Sequence, residues 1–428
     1  MSKKKASFWQ RAREYLKKSV IWGPLDHNLF FTIIFLNVYG IIMVYSASYN
    51  NTITKSPSYF MWNQLKNVIF GLVVMVFASY INYHRIVRFG FGWFWLILAF
   101  GIVGALKTPL AHSELGATRW IYLGPFSFQA AEPIKAFVII FFAYYVSYVG
   151  LNRWYHQVSA IALALVLLVL LFVFSNNLST VIVLFGICAV IILSSVKKPD
   201  IYWYFLIGIG LVIVAAIGVT IYLMINKGGA ENFRFVRIRA WLHPEEYAAD
   251  EGLQAMQARY AIGAGGFWGK GLGQSLIKFK LSYSYNDFIL AIICEELGVF
   301  GVIIMMTLFG YLLYRIYRIA QNAWDIDGKV IAIGVFTQIA LQLLINVMVV
   351  TSVIPTTGVT LPFFSAGGTS VVFLLAELGM VLNVDKYAKE RRFLEEAERH
   401  VEQMEQRGGV GAAGWRRRFN LSSKTHRG

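Results

Sequence analysis

The stretches QVSAIALALVLLVLLFVF, residues 157–174, and LSTVIVLFGICAVIILSS, residues 178–195, decide the fold class. Each is close to the ~20 apolar residues that an α-helix needs to cross the hydrocarbon core of a bilayer. Neither contains a charged residue, and only Ser175, Asn176 and Asn177 separate them. The pair therefore predicts two membrane-spanning helices joined by a tight turn.

The same pattern recurs along most of the chain. The candidate spans are 29–48, 65–82, 91–106, 134–149, 157–174, 178–195, 201–225, 287–313, 330–353 and 369–384. Lipid offers no hydrogen-bond partners to exposed backbone, so helices are the expected spanning form. The composition agrees, with 14% charged residues against about 25% in soluble domains. The predicted fold is an all-α polytopic membrane bundle of about ten helices, which argues against a soluble enzyme.

The formal net charge of +16 falls mainly at the two ends of the chain. Seven Lys and Arg lie in the segment 1–28, and eleven lie in the tail 385–428. An even number of spans places both ends on one side, and the positive-inside rule assigns that side to the cytoplasm. Orientation therefore explains the charge without nucleic acid, and the tail is expected to touch anionic lipids. Within the ten-span domain, 29–384, the long outer loop 226–286 is expected to fold back onto the bundle.

Charged residues in or beside the spans are the first candidates for a site, because charge at membrane depth is costly and commonly functional. Glu132 and Lys135 are three residues apart, so they share a helix face and can pair, either as structure or as part of a site. Glu295 and Glu296 point about 100° apart on a helix, so only one is expected to face the interior with Asp287. Polar packing is their expected role. A divalent cation between Asp287 and Glu295 is a weaker alternative, since no His lies nearby.

Asp287 stands between the polar aromatic stretch LSYSYN, 281–286, and the apolar run FILAII, 288–293. This position places its carboxylate at the outer mouth of a span, where it is partly desolvated and within reach of aqueous and lipidic groups. Such a carboxylate suits a general base. The alternative is a helix N-cap, since Asp before an apolar run caps helices well. The spacing alone favours the cap and leaves the base open.

Basic residues of the outer loops indicate an anionic ligand, because guanidinium groups bind phosphate bidentately. Arg119 lies beside Trp120 in the second outer loop, and Arg259 and Lys270 lie in the long loop. Contact with lipid headgroups is the alternative. The glycine-rich stretch AIGAGGFWGKGLG, 261–273, fails as a nucleotide-binding loop, because a glycine follows Lys270 where Ser or Thr is required. Close backbone packing accounts better for these glycines.

Three segments in this order resemble the shape, elongation, division and sporulation (SEDS) proteins, the FtsW, RodA and SpoVE group. They are ATRWIYLGPFSFQAAEPIK (117–135), the segment from QARYAIGAGGFWGKGLGQSLIK (257–278) to NDFILAIICEELG (286–298), and IPTTGVTLPFFSAGG (354–368). The resemblance covers about residues 30–385. The form GKGLGQSLIK looks more like the division member, FtsW, than the elongation member.

The resemblance implies a peptidoglycan glycosyltransferase that polymerises lipid II at the outer face of the membrane. The family's essential aspartate falls on Asp287, which would accept the proton of the acceptor sugar's 4-hydroxyl. That oxygen would attack C1 of the donor, and the lipid pyrophosphate would leave with inversion. Basic side chains or a divalent cation, Mg²⁺ or Mn²⁺, would stabilise the leaving group; no metal ligands are assigned. The expected substrate-binding residues are Arg119, Trp120, Glu132, Lys135, Arg259, Lys270, Gln274 and Ser275.

The resemblance also implies partners and a location. A class B penicillin-binding protein, a transpeptidase, is the expected partner, together with other membrane proteins of the division machinery. The expected location is the cytoplasmic membrane, with enrichment at the division septum. Two other functions stay open. A lipid II flippase should show inverted repeats or broken helices near the midplane, and a non-catalytic division scaffold would act through its tails and loops.

Several residues depart from the family's pattern near the expected site. Residues 282–286, SYSYN, stand where Pro-Glu-x-His-Thr is common, so neither His nor Glu flanks Asp287. Residues 175–180, SNNLST, stand where Gln-Pro-Asp-Leu-Gly-Thr is common. Thr357 replaces a frequent Lys, and Ala366 replaces a usual Tyr. The loss of these groups predicts a divergent branch with shifted anion contacts.

Overall fold

The computed structural model describes residues 25–48, 57–114, 117–123, 126–196, 239–246, 251–276, 287–365 and 368–406. Apolar runs form helices throughout these ranges. In chain order the helices are α1 (His27–Ala47), α2 (Pro57–Tyr80), α3 (Tyr83–Arg88), α4 (Trp93–Ala105), α5 (Ala131–Tyr144), α6 (Trp154–Ser175), α7 (Leu178–Ser195), α8 (Glu251–Gly265), α9 (Ile289–Asn322), α10 (Ile326–Val350) and α11 (Thr369–Gln406). A 3₁₀ turn, Phe89–Phe91, precedes α4, and a wider helical turn, Tyr145–Val149, extends α5.

Seven of the helices in these ranges are long and apolar enough to cross a membrane, so a polytopic helical membrane protein is confirmed. They are α1, α2, α5 with its extension, α6, α7, α9 and α10. Helix α4 has 13 residues, or about 20 Å at 1.5 Å per residue, which is short of a ~30 Å hydrocarbon core. Helix α11 joins the predicted last span to the predicted amphipathic tail helix without interruption. The predicted span 201–225 lies outside the described residues, so the count of ten stays a prediction.

The second predicted outer loop contains a small antiparallel sheet, which the all-α expectation missed. Its middle strand, ATRWIYL, is rich in the β-branched and aromatic residues that fit a pleated surface. Trp120 of this strand lies opposite Gln129, and the third strand leads directly into α5. The strands, in spatial order, are β1 (Ala111–Glu114), β2 (Ala117–Leu123) and β3 (Phe126–Gln129).

Helix α9 is interrupted at Gly298, whose φ of 65° and ψ of −164° belong to a region that only glycine occupies readily. Unpaired backbone groups at membrane depth cost several kcal/mol each, so the break needs partners. The segment 266–271, which follows α8, supplies them. The hydrogen bonds run from Lys270 N to Glu295 O (2.9 Å), Gly271 N to Glu296 O (2.9 Å), Val299 N to Gly266 O (3.1 Å) and Phe300 N to Phe267 O (3.1 Å).

The long outer loop therefore folds back onto the bundle, as predicted, in its described parts. Trp241 contributes a second attachment, since its indole Nε1 donates a hydrogen bond of 2.9 Å to the carbonyl of Ser352. The remaining residues of the predicted loop 226–286, including the stretch before Asp287, lie outside the described ranges.

The bundle has two distinct ends. The sheet, the start of α9 and the loop between α10 and α11 lie together at one end, which we call the site end. At the other end, the Tyr83 hydroxyl donates to Asp325 Oδ2 at 2.7 Å, and Arg315 near the end of α9 pairs with Asp26 at the start of α1. The second half of α11 also lies at this opposite end, because the Arg392 guanidinium donates a hydrogen bond to the carbonyl of Asn322.

Candidate functional site

Asp287 is half-buried at the site end, immediately before α9. Helix α9 begins at Ile289, and Phe288 occupies its N-cap position, so Asp287 does not hold the position that the cap alternative requires. The backbone of Asp287 is fixed by the fully buried Asn346 of α10, whose Nδ2 donates 2.9 Å to the Asp287 carbonyl. The same amide nitrogen donates 3.0 Å to the carbonyl of Val359 in the last outer loop.

The last outer loop connects the main chain of Asp287 to Arg119. Gly358 lies against the Arg119 guanidinium so closely that an added Cβ would be 2.6 Å from Nη1 and 2.8 Å from Cζ. A glycine at 358 therefore makes room for the guanidinium. Arg119 Nε is buried without a hydrogen-bond partner among the described residues, which leaves a donor for a ligand. Asn346, Val359 and Gly358 thus form a continuous path from Asp287 to Arg119.

Small cavities with several polar side chains lie beside Arg119 and Glu132 at this end of the bundle. The first is lined by Arg119, Gln129, Ser175, Asn177 and Thr180, among other residues. The second runs beneath the last outer loop, and its polar lining consists of Glu132, Gln342, Thr360, Ser365 and Ser370. Each cavity has room for about one water molecule, so its polar groups can meet single oxygen atoms of a ligand but do not enclose a sugar.

Glu132 and Lys135 form the ion pair that their spacing predicted. Lys135 Nζ lies 3.0 Å from Glu132 Oε1, and the two residues are only 2% and 5% exposed. Glu377, for which the sequence offered no account, accepts a hydrogen bond of 2.8 Å from Gln338 Nε2. The buried ion pair of Glu132 and Lys135 is costly to break. Removing one partner would leave an uncompensated buried charge, at a cost of about 3–5 kcal/mol.

The predicted residues of the long loop gather elsewhere, around Glu295. Lys270 Nζ lies 2.7 Å from Glu295 Oε1, and the Ser275 hydroxyl donates to Glu295 Oε2. Glu296 accepts from the Ser46 hydroxyl at 2.5 Å and from the Ser275 amide at 3.3 Å. Both glutamates are 0% exposed: Glu296 contacts Ser46 of α1, and Glu295 contacts the returning segment, so the expected polar packing is confirmed. The returning segment 266–276 covers the outer side of the helix. The adjacent positions of Glu295 and Glu296 in the sequence could not indicate this cover.

The structure therefore separates six of the predicted substrate-binding residues into two groups and leaves two outside both. Arg119 with its neighbour Trp120, and the pair Glu132 and Lys135, lie at the last outer loop with Asp287. Lys270 and Ser275 hold Glu295 and Glu296. Arg259 and Gln274 are exposed on α8 and on the segment after it, respectively.

The described residues do not fit a resident divalent cation. No three His, Cys, Asp or Glu side chains group together within those ranges. Both carboxylate oxygens of Glu295 accept hydrogen bonds from Lys270, Ser275 or Leu276, so the proposed pairing of Glu295 with Asp287 lacks a free acceptor. The proposed reaction therefore relies on side chains of this protein.

A model of the cell cycle protein family, named for FtsW, RodA and SpoVE, matches residues 26–390. The chain belongs to this family. Stage V sporulation protein E of Bacillus subtilis (strain 168) is 34% identical over 376 residues, which cover 84% of this chain and 96% of that protein. A probable peptidoglycan glycosyltransferase FtsW of the same strain is 32% identical over 380 residues, which cover 85% and 91%. The resemblance inferred from the three sequence segments is confirmed, and it is FtsW-like.

Solved structures show the same fold. A chain from a study of how a peptidoglycan synthase complex coordinates polymerization and crosslinking superposes with a TM-score of 0.69 at 22% identity, covering 86% of this chain and 99% of that one. The Thermus thermophilus rod shape determining protein RodA superposes with a TM-score of 0.62 at 21% identity, covering 85% and 98%. At these identities the likeness extends to the fold alone.

The sequence did not single out Asn346, which links the main chain of Asp287 to the last outer loop. The available signal was its position, a carboxamide near the outer end of an apolar span, where an unsatisfied polar group is costly. The contact between Gly358 and Arg119 had no such signal, because it joins residues that are far apart in the chain.

Proposed function

We propose that this protein is a peptidoglycan glycosyltransferase that polymerises lipid II at the outer face of the cytoplasmic membrane during cell division. The observation that carries the proposal is the path from Asp287 through Asn346 and the last outer loop to Arg119. It joins the main chain of Asp287, which is half-buried, to the Arg119 guanidinium in a chain of the FtsW, RodA and SpoVE family. Curated relatives at 31–33% identity are named probable peptidoglycan glycosyltransferases.

In the proposed reaction, the Asp287 carboxylate accepts the proton from the 4-hydroxyl of the acceptor sugar. The oxygen then forms a bond to C1 of the donor muramyl sugar, while the bond from C1 to the lipid pyrophosphate breaks, and the configuration at C1 inverts. Negative charge develops on the departing pyrophosphate, and the Arg119 guanidinium would stabilise it. Asn346 positions the Asp287 backbone without touching the reacting atoms.

The orientation that goes with this chemistry has both termini in the cytoplasm, supported by the charge at the two ends of the chain. We expect a class B penicillin-binding protein as partner. The similarity to a chain of a peptidoglycan synthase complex that couples polymerization to crosslinking supports this expectation. Similarity to FtsW proteins supports a place among the division proteins at the septum.

A flippase remains the second candidate, because the break at Gly298 is the kind of discontinuity that transporters use. Here the backbone groups at the break are hydrogen-bonded by the segment 266–271. In a transporter such groups would face an ion or substrate cavity. Here they are hydrogen-bonded to the segment 266–271, which favours the polymerase.

Proteoliposomes that contain the purified protein and labelled lipid II separate these functions. Glycan polymer should appear, and adding a class B penicillin-binding protein should raise its yield. Transfer of label between leaflets with no polymer, in the presence and absence of the partner, would contradict the proposal and support the flippase. Absence of both activities would favour a scaffold.

A further inference from the structure

A second charged cavity lies at the opposite end of the bundle, remote from Asp287. It is open to solvent, has a volume of about 190 Å³, and lies where α1, α9 and α11 meet. Its charged lining consists of Asp26, Arg315, Arg318, Asp385, Lys389 and Arg392. We call it the basal pocket. None of the chemistry proposed for the site end uses it.

The carboxylates of the basal pocket are already occupied. Asp26 is 3% exposed; its Oδ1 accepts the amides of Asn28 and Leu29 at 3.1 Å, and its Oδ2 accepts Nε of Arg315 at 3.1 Å. Asp385 Oδ2 lies 2.5 Å from Lys389 Nζ. These pairs hold two of the four cations in place and neutralise their charge.

The other two cations make contacts with neutral groups. Arg318 Nη1 donates 2.9 Å to the hydroxyl of Tyr314, and an Arg392 amine donates to the carbonyl of Asn322. Four cations and two carboxylates give the lining a formal charge of +2. A guanidinium carries five donors in a rigid fork, so both arginines keep further donors for an anion. Phosphate oxygens match this geometry.

The depth of the basal pocket matches the headgroup layer. Tyr311, Tyr314 and Tyr317 follow one another at three-residue spacing on α9, and they are 40%, 48% and 50% exposed. Tyrosines on the outer surface of a membrane helix settle at the membrane interface. The ring of Tyr314 lies under the Arg318 guanidinium, 5.8 Å from its Cζ, which places the pocket at the same level.

We propose that the basal pocket binds a phosphate group, supplied by the headgroup of an anionic lipid, through Arg318 and Arg392. Basic pockets between membrane helices on the cytoplasmic side bind such headgroups in general. The orientation proposed above places this pocket in the cytoplasmic leaflet. The binding itself does not depend on the reaction at the site end.

The test is a titration of the purified full-length protein with cardiolipin and with phosphatidylglycerol, followed by native mass spectrometry. The test variant is Arg318→Gln combined with Arg392→Gln, which spares the two ion pairs. The matched control is Arg391→Gln combined with Arg399→Gln, which removes the same charge from exposed positions on α11 outside the pocket lining. We expect lipid binding at least about tenfold weaker in the test variant, a change of about 1.4 kcal/mol in binding free energy. The control variant should bind lipid as the wild type does.

Equal binding in both double variants, or equal weakening in both, would overturn the proposal, because general attraction to the basic tail would then explain the lipid. A second arm adds inorganic phosphate to the lipid-loaded protein. Lipid that stays bound identifies the headgroup as the source, whereas displacement confined to the intact pocket identifies free phosphate. Since the readout is binding, failure of polymerisation in another experiment leaves this result standing.

Discussion

Replacing Gly298 by alanine tests whether the break in α9 depends on the returning outer segment. The glycine has φ 65° and ψ −164°, where a side chain is strained whatever the space. A Cβ would lie 2.4 Å from the Gly269 nitrogen and 2.5 Å from the Phe267 oxygen. Both are main-chain atoms, so the segment 266–271 must move instead of a flexible side chain.

The magnitude follows from what moves. Backbone strain alone costs about 1–3 kcal/mol. If the segment detaches, four main-chain hydrogen bonds are lost as well, at about 1 kcal/mol net each. Gly298→Ala should therefore destabilise the protein by at least about 1 kcal/mol and by up to about 7 kcal/mol on full detachment.

The matched control is Gly310→Ala in the same helix, where an added Cβ meets nothing within 4 Å. Alanine is the better helix former, so this variant should be neutral or up to about 1 kcal/mol more stable. Thermal unfolding in one detergent, followed by tryptophan fluorescence, should rank Gly310→Ala at or above the wild type and Gly298→Ala below it. Hydrogen exchange should show lost protection at the amides of Val299 and Phe300. Wild-type melting and protection in Gly298→Ala would refute the reasoning.

Three further single substitutions test the contacts around Asp287, Arg119 and Glu295. Asn346→Leu removes the amide that donates to two backbone carbonyls, so lipid II polymerisation should fall at least about tenfold while stability falls by about 1–3 kcal/mol; a polymerisation rate within twofold of the wild type contradicts its positioning role. Gly358→Ala would place a Cβ 2.6 Å from Nη1 of Arg119, so KM for lipid II should rise several-fold with little change in Tm; an unchanged KM would place that guanidinium away from the substrate. Lys270→Gln removes the ammonium group from Glu295, which keeps its hydrogen bonds from Ser275 and Leu276, and should cost about 1–3 kcal/mol, whereas adding Glu295→Gln should restore both Tm and polymerisation. A double variant that regains Tm but stays inactive would show instead that Lys270 contacts the substrate.

The sequence predicted the features that follow from local chemistry. The length of the apolar segments predicted a bundle of membrane-spanning helices. The spacing of three residues predicted the ion pair between Glu132 and Lys135. The glycine-rich stretch 261–273 does not match a phosphate-binding loop, so close backbone packing was predicted for its glycines. The structure confirms this at Gly269, where an added Cβ would lie 2.2 Å from the carbonyl oxygen of Glu296.

Features that join distant parts of the chain were not predictable from one sequence. Helical geometry allowed only one of Glu295 and Glu296 to face the other spans. The segment 266–276 covers the side of the helix that would otherwise be exposed, so both carboxylates are buried. The strand ATRWIYL sat within a loop assigned by default between two spans, and its pairing partners are short. The role of Asn346 depends on two carbonyls that lie 59 and 13 residues away in the chain.

The central claim is that Asp287 is the general base, and Asp287→Asn tests it most directly. The amide is nearly the same size but cannot accept the proton, so the protein should fold with a wild-type Tm and form no detectable polymer from purified lipid II. Glu390→Gln, which makes the same chemical change at an exposed position on α11, should polymerise at the wild-type rate. Polymer formation by Asp287→Asn at a rate close to that of Glu390→Gln would contradict the account.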